Sequence, residues 1–84
     1  MIQTVLKRDG RIVGFNEEKI IAAVRRAMLH TDKGEDMELA RDIADRIACR
    51  GQEQMSVEEI QDCVEMELMK SRRKDVAQVY IAYR

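Results

Sequence analysis

The chain lacks proline and tryptophan, and it has only two cysteines and three aromatic residues among its 84 residues. Two cysteines are too few for a disulfide-stapled scaffold, and Cys49 and Cys63 lack the spacing of metal ligands. No apolar run is long enough to span a bilayer, and Met1 leads into a predicted strand rather than a signal peptide. These absences argue against a disulfide framework and against a membrane protein, and they predict a cytoplasmic location.

Residues of the usual catalytic kinds are equally sparse. The one histidine, His30, falls where the first predicted helix ends, which favours a role at the helix terminus. There is no Ser-His-Asp or Cys-His arrangement and no glycine-rich phosphate loop of the Walker or dinucleotide type. We therefore predict no catalytic residues and no metal site.

Charge, in contrast, is abundant, at 37% of the residues, and it is unevenly distributed. Residues 1–30 hold six basic and three acidic side chains, residues 31–69 hold four and twelve, and residues 70–84 hold five and one. If the two basic ends meet in the fold, they form a local anion site without making the whole surface basic. This distribution favours a compact anionic ligand and argues against a long nucleic acid, which normally requires a basic domain.

Residues 5–16 predict a β-hairpin. Two apolar runs flank Asp9-Gly10, a pair typical of two-residue type I′ turns because glycine tolerates positive φ. In that register Arg8 and Arg11 face each other across the turn. Like charges opposed on paired strands are unfavourable, so an anion near the turn would relieve them.

Four helices follow the hairpin. The first runs from the N-cap Asn16 to about Leu29, the second begins near Asp36, the third begins at the capping box of residues 56–59, and the last follows the basic connection 70–74. Residues 52–55 could add a third strand. The apolar stripes of the four helices contain Ile20, Val24, Ala27, Met28, Ala40, Ile43, Ala44, Ile47, Ala48, Ile60, Cys63, Val64, Leu68, Val76, Val79, Tyr80 and Tyr83. We predict one α+β domain over residues 1–84, a four-helix cluster capped by a β-hairpin or a small three-stranded sheet.

One group of side chains is suited to binding a ligand. Asn16, Lys19 and Ile20 share one side of the first helical turn, directly after the hairpin. Ile20 with the Asn16 amide could seat a purine, and Lys7, Arg8 and Lys19 could hold its phosphates through charge-assisted hydrogen bonds. On spacing alone, a solvated charge cluster that binds no ligand is the slightly favoured alternative.

Four segments together resemble the ATP-cone family, and they extend over nearly the whole chain. They are Lys7-Arg8-Asp9-Gly10, Phe15-Asn16-x-x-Lys19-Ile20, Ser56-x-Glu58-Glu59-Ile60-Gln61-x-x-Val64-Glu65 and Val76-Ala77-x-x-Tyr80-Ile81-x-Tyr83-Arg84. The resemblance implies a helical bundle under a small sheet. It also implies a regulatory nucleotide-binding domain of the kind found at the N-terminus of many ribonucleotide reductases.

The resemblance further implies that the domain binds ATP or dATP, usually with Mg²⁺. It assigns the triphosphate to Lys7 and Arg8, the surroundings of the nucleotide to Val5, Asn16, Lys19 and Ile20, and the base or sugar to Ile60 and Gln61. Two positions depart from the pattern, since Val13 stands where some members carry an acid that contacts adenine, and Gln61 where some carry histidine.

The function implied by the resemblance is allosteric control of the overall activity of a ribonucleotide reductase by a domain that is not itself an enzyme. Its partners would be an adenine nucleotide, the catalytic domain of the parent enzyme and, through biased association, further copies of that enzyme. The ending at residues 76–84 looks more like the anaerobic reductase than the aerobic one. Two alternatives stay open: the nucleotide-sensing domain of a transcriptional repressor, and a helical module whose basic ends dock a protein or nucleic acid.

Overall fold

The computed structural model describes residues 1–84 and confirms the predicted α+β class. Its elements are β1 (Thr4–Leu6), β2 (Ile12–Gly14), α1 (Glu17–Leu29), α2 (Met37–Ala48), β3 (Gln54–Ser56), α3 (Val57–Lys70) and α4 (Lys74–Tyr83). None of these helices has both the length and the apolar composition needed to cross a membrane.

The three strands form one sheet in the order β2-β1-β3. β1 runs antiparallel to β2 and parallel to β3, so that Val5 stands between Val13 and Met55. Val5 and Met55 are buried, at 9% and 3% exposure, and this anchors the central strand on the helices. The third strand that residues 52–55 allowed is therefore present, but it begins two residues later and ends one residue later.

The hairpin turn differs from the predicted type I′ turn. The Lys7 amide donates to the Arg11 carbonyl at 2.8 Å, and the Gly10 amide donates to the Lys7 carbonyl at 3.0 Å. The loop therefore has three residues, Arg8-Asp9-Gly10, and of these only Gly10 has a positive φ, of 89°. Asp-Gly also suits this loop, in which a turn is followed by one left-handed residue, so the pair alone could not distinguish the two geometries.

The longer loop also removes the expected opposition of Arg8 and Arg11. Asp9 accepts hydrogen bonds from the Arg11 backbone amide at 3.1 Å and from its Nε at 2.7 Å. These two bonds hold the pKa of the Asp9 carboxyl below its usual value. Arg11 thus has an intramolecular partner and does not require an external anion.

The predicted N-caps Asn16 and Ser56 are confirmed, and Asp36, the predicted neighbourhood of the second helix start, also caps its helix. Side-chain oxygens of Asn16, Asp36 and Ser56 accept hydrogen bonds of 3.0–3.1 Å from backbone amides in the first turns of α1, α2 and α3. The Glu59 carboxylate accepts from the Ser56 amide at 3.1 Å and completes the predicted capping box. These bonds satisfy amides that a helix leaves without partners, which explains why the three helices begin where they do.

The core lies between the four helices and one face of the sheet. Its fully buried large side chains are Met28, Ile43, Ile47, Leu68, Val24, Val64 and Val76, all of which belong to the predicted stripes. The stripes were too wide at two places. Ile60 and Cys63 pack against the core but are only half-buried, and Tyr83 is 73% exposed; Ile60 and Tyr83 line open spaces at the surface.

Arg73 fastens the loop between α1 and α2 to the start of α4. Its Nη2 donates to Thr31 Oγ1 at 3.0 Å, to the Gly34 carbonyl at 2.9 Å and to the Asp75 carboxylate at 3.1 Å, and its side chain is only 12% exposed. The hydrogen bond from Arg73 lowers the pKa of the Asp75 carboxyl. One side chain therefore joins two segments that are distant in the sequence.

We expect Arg73→Met to lower the free energy of unfolding by about 1.5–3 kcal/mol, because hydrogen bonds to a charged donor are lost at a largely desolvated position. Urea denaturation followed by circular dichroism measures this change. Arg72→Met is the matched control, because Arg72 is the neighbouring arginine and is exposed. Its free energy of unfolding should stay within about 0.5 kcal/mol of the wild type. Equal effects of the two substitutions would contradict the role assigned to Arg73.

Candidate functional site

A cleft of about 240 Å³ opens where the hairpin meets α1, α3 and α4, and we call it the central cleft. Nine of its 14 lining residues are hydrophobic. The lining residues are Val5, Lys7, Val13, Gly14, Phe15, Asn16, Lys19, Ile20, Ala23, Val57, Ile60, Gln61, Val64 and Tyr80. Ligand sites commonly combine an apolar wall with a few polar groups in this way.

Two depressions share lining residues with the central cleft. The turn depression, of about 310 Å³, is lined by Lys7, Arg8, Asp9, Arg11, Val57 and Gln61. The α1–α4 depression, of about 320 Å³, is lined by Ala23, Arg26, Ala27, His30, Gln61, Tyr80, Tyr83 and Arg84. Gln61 lines all three. The central cleft is therefore flanked by basic side chains from both ends of the chain, as the charge distribution predicted.

The capping of α1 fixes one polar group of the central cleft. Asn16 Oδ1 accepts from the Glu18 amide at 3.0 Å, which leaves the Asn16 Nδ2 hydrogens available to a ligand. One turn further along the same helix side, Lys19 and Ile20 add a cation and an apolar surface. The start of α1 thus presents a donor, a charge and an apolar contact to the same space.

The three cations of the turn differ in their partners. Arg8 donates from Nε to the Glu58 carboxylate and from Nη2 to Gln61 Oε1 at 3.3 Å. Arg11 is paired with Asp9 at 2.7 Å. Lys7 forms no ion pair and lines both the central cleft and the turn depression. Lys7 is consequently the cation that can bind an anion without first losing a partner.

The α1–α4 depression is shaped by aromatic rings and by Arg84. The rings of His30 and Tyr83 lie 5.4 Å apart, and burial raises the pKa of the Tyr80 hydroxyl. Arg84 pairs with Asp62 at 2.8 Å and with Glu65 at 2.5 Å, and these carboxylates raise the pKa of its guanidinium. Arg84 is therefore held against α3.

The structure brings the eight predicted site residues together. Seven of them line the central cleft, and Arg8 lines the turn depression beside Lys7 and Gln61. Strict strand alternation would have sent Lys7 and Arg8 to opposite faces. The three-residue loop removes that obstacle, because Arg8 belongs to the loop and is not constrained by the strand pleat.

The sequence did not point to three residues of this region. Tyr80 was placed in the core, yet it is half-buried and lines two of the spaces. Phe15 lines the central cleft, although only its place in a motif drew attention to it. Glu58 was quoted in the capping box and in a family motif but was given no role in the site, since its contact with Arg8 depends on the tertiary approach of the hairpin to α3. The polar tip of Tyr80 was the one available signal, since such residues commonly lie at the edge of a core.

The chain contains no group of three or more His, Cys, Asp or Glu side chains arranged to hold a metal ion. The central cleft itself is lined by no acidic, histidine or cysteine side chain. What the site offers is an apolar surface, amide groups and cations.

A small α+β domain with such a cleft has the features of a ligand-binding domain, namely an apolar wall with a few polar groups and cations. The chain matches the family model of the ATP cone domain over residues 3–84, and it belongs to that family.

Curated relatives are ribonucleotide reductases of several kinds. The chain is 45% identical to a vitamin B12-dependent ribonucleoside-diphosphate reductase of Thermoplasma acidophilum, over all of this chain and 12% of that protein. It is 36% identical to a ribonucleoside-diphosphate reductase subunit alpha of Chlamydia pneumoniae, over 99% of this chain and 9% of that protein. It is 32% identical to an anaerobic ribonucleoside-triphosphate reductase of Haemophilus influenzae, over 95% of this chain and 12% of that protein. The chain thus spans roughly a tenth of the length of these relatives.

Proposed function

We propose that this chain is an allosteric domain that binds ATP or dATP and controls the overall activity of a ribonucleotide reductase. The observation that carries the proposal is the meeting of Lys7 and Arg8 with Gln61 at the turn end of a largely apolar cleft. The membership in the ATP cone family supports the ligand class, and the names of the relatives support the parent enzyme. The same relatives give no support to the repressor or to the helical docking module.

In the proposed binding mode the base lies between Ile20 of α1 and Ile60 of α3. Asn16 Nδ2 donates to a ring nitrogen of adenine, because the Oδ1 atom is engaged by the helix cap. The phosphates extend towards Lys7 and Arg8 rather than the α1 terminus, since Glu18 in its first turn would repel them. Three or four charge-assisted bonds of about 1.5–3 kcal/mol each would contribute about 4.5–12 kcal/mol, a range that includes the roughly 8 kcal/mol of micromolar affinity.

Mg²⁺ would accompany the triphosphate in this mode. Asp9 is the only carboxylate that lines the turn depression, and it already binds Arg11. The chain therefore offers no dedicated cage, and phosphate oxygens and water would supply most of the ligands, as is common for this ion.

We further propose that the domain binds the nucleotide without hydrolysing it, because the central cleft has no carboxylate or imidazole and Asp9, the one carboxylate of the turn depression, is paired with Arg11. Its proposed partners are the catalytic domain of the parent enzyme and, through that enzyme, further copies in a cytoplasmic assembly. An anaerobic parent stays a prediction, since the B12-dependent relative at 45% identity matches better than the anaerobic one at 32%.

Calorimetry with ATP, dATP and GTP in the presence of Mg²⁺ tests the proposal. We expect both adenine nucleotides to bind. GTP should bind at least about 10-fold more weakly, because polar groups of guanine would be buried without partners. Phosphate release should stay at the background rate. Failure of both adenine nucleotides to bind, together with salt-sensitive binding of DNA, would favour the helical docking module instead.

A further inference from the structure

Arg8, one of the two proposed phosphate ligands, already has an anionic partner. Its Nε donates to the Glu58 carboxylate, and its Nη2 donates to Gln61. Glu58 lies in the first turn of α3, so this contact ties the hairpin loop to that helix. A phosphate that binds Arg8 must therefore compete with a carboxylate of the same chain.

We propose that Glu58 is an affinity-setting residue that pairs with Arg8 and moves closer to Arg84 when a phosphate takes its place. This inference rests on the proposed binding of adenine nucleotides. Glu58 is not one of the residues assigned to nucleotide binding, but it contacts one of them, Arg8. The exchange of partners also provides two states with different contacts, which allosteric coupling requires.

The exchange is energetically feasible because the present pair is exposed. The side chains of Arg8 and Glu58 are 66% and 53% exposed, and ion pairs so accessible to water are weak. A triphosphate carries several charges and accepts more hydrogen bonds than one carboxylate, so it can displace Glu58. The pair therefore lowers the affinity for phosphate without preventing binding.

Arg84 is the cation that can take over the displaced carboxylate. Its Nη2 already lies 3.9 Å from Glu58 Oε2, and its guanidinium also contacts Asp62 and Glu65, so Arg84 joins α4 to α3. A small movement of the Glu58 side chain would exchange its link to the hairpin for a closer contact with this α3–α4 cluster. Occupancy of the phosphate site would thereby be transmitted to the last helix.

The test compares Glu58→Gln with the wild type in calorimetric titrations of adenosine and of ATP, with and without Mg²⁺. We expect the variant to bind ATP about 2- to 5-fold more tightly and adenosine with unchanged affinity, and the gain to shrink at high salt. Glu59→Gln is the matched control, because Glu59 is the neighbouring carboxylate, binds the Ser56 amide and does not contact Arg8. By the same reasoning, Glu59→Gln should change the affinity for ATP by less than about 1.5-fold.

A double-mutant cycle tests the second half of the exchange. Arg84→Gln should weaken ATP binding about 2-fold more in the wild-type background than in Glu58→Gln, because only the former has a displaced carboxylate to accommodate. Equal gains from Glu58→Gln and Glu59→Gln would overturn the inference and indicate a general charge effect. If Glu58→Gln binds ATP more weakly than the wild type, and only when Mg²⁺ is present, the inference would be overturned and Glu58 would instead be a magnesium ligand. A wild-type domain that binds no adenine nucleotide would instead overturn the proposed function itself.

Discussion

Replacing Lys7 and Arg8 together with alanine is expected to reduce the affinity for ATP by roughly 100-fold or more. In the proposed binding mode each side chain supplies at least one charge-assisted hydrogen bond of about 1.5 kcal/mol or more, and losing two of them would cost about 3 kcal/mol. Both lie at the end of the hairpin that faces the turn depression. Neither belongs to the buried core. Calorimetry on the purified variant measures the loss.

The control for this variant must remove the same charge elsewhere. Lys70→Ala/Arg72→Ala does so at exposed positions in and next to the connection between α3 and α4, outside all three spaces. We expect its affinity for ATP to stay within about 2-fold of the wild type, since exposed charges beyond a Debye length of about 10 Å are largely screened. If both double variants lose affinity equally, the net charge of the domain would account for binding, and the specific role of Lys7 and Arg8 would be refuted.

The helices could be predicted from the sequence because their signals are local. A cap such as Ser56 and a stripe such as residues 40–48 act within one or two turns, and both are present as expected. The hairpin was predicted for the same reason, but its loop was not. Whether Asp9-Gly10 forms a two-residue or a three-residue loop depends on which residue takes the left-handed conformation, and both choices satisfy the glycine.

The site was predictable only in part, because a cleft is a property of tertiary packing. Spacing on α1 placed Asn16, Lys19 and Ile20 together without knowledge of the fold. The wall formed by Ile60 and Tyr80 depends on where α3 and α4 pack, and both residues had been assigned to the core. The resemblance to a family supplied Ile60 as a site residue, which the hydrophobic pattern alone would have left buried.

Leu68→Ala is expected to lower the free energy of unfolding by about 3 kcal/mol, within the range of about 2–5 kcal/mol for such cavities. Leu68 is fully buried, on the inner side of α3 and two turns beyond Gln61. A domain of 84 residues has about 4–13 kcal/mol of stability in total at roughly 0.05–0.15 kcal/mol per residue, so one substitution removes a large share of it. The melting temperature should fall by about 12–24 °C, which differential scanning calorimetry measures.

Met66→Ala is the control on the same helix, because Met66 is 52% exposed and its truncation should cost less than about 0.5 kcal/mol. A loss below about 1 kcal/mol in Leu68→Ala would contradict the packing described for α3.

The Leu68→Ala variant also allows ligand binding to be measured through stability. Because a ligand stabilises only the state that binds it, ATP at about 100 times its dissociation constant should restore about 2.7 kcal/mol to Leu68→Ala. The restoration should vanish when Lys7 and Arg8 are also replaced, since the destabilised domain would then keep its cleft but lose its hold on the phosphates.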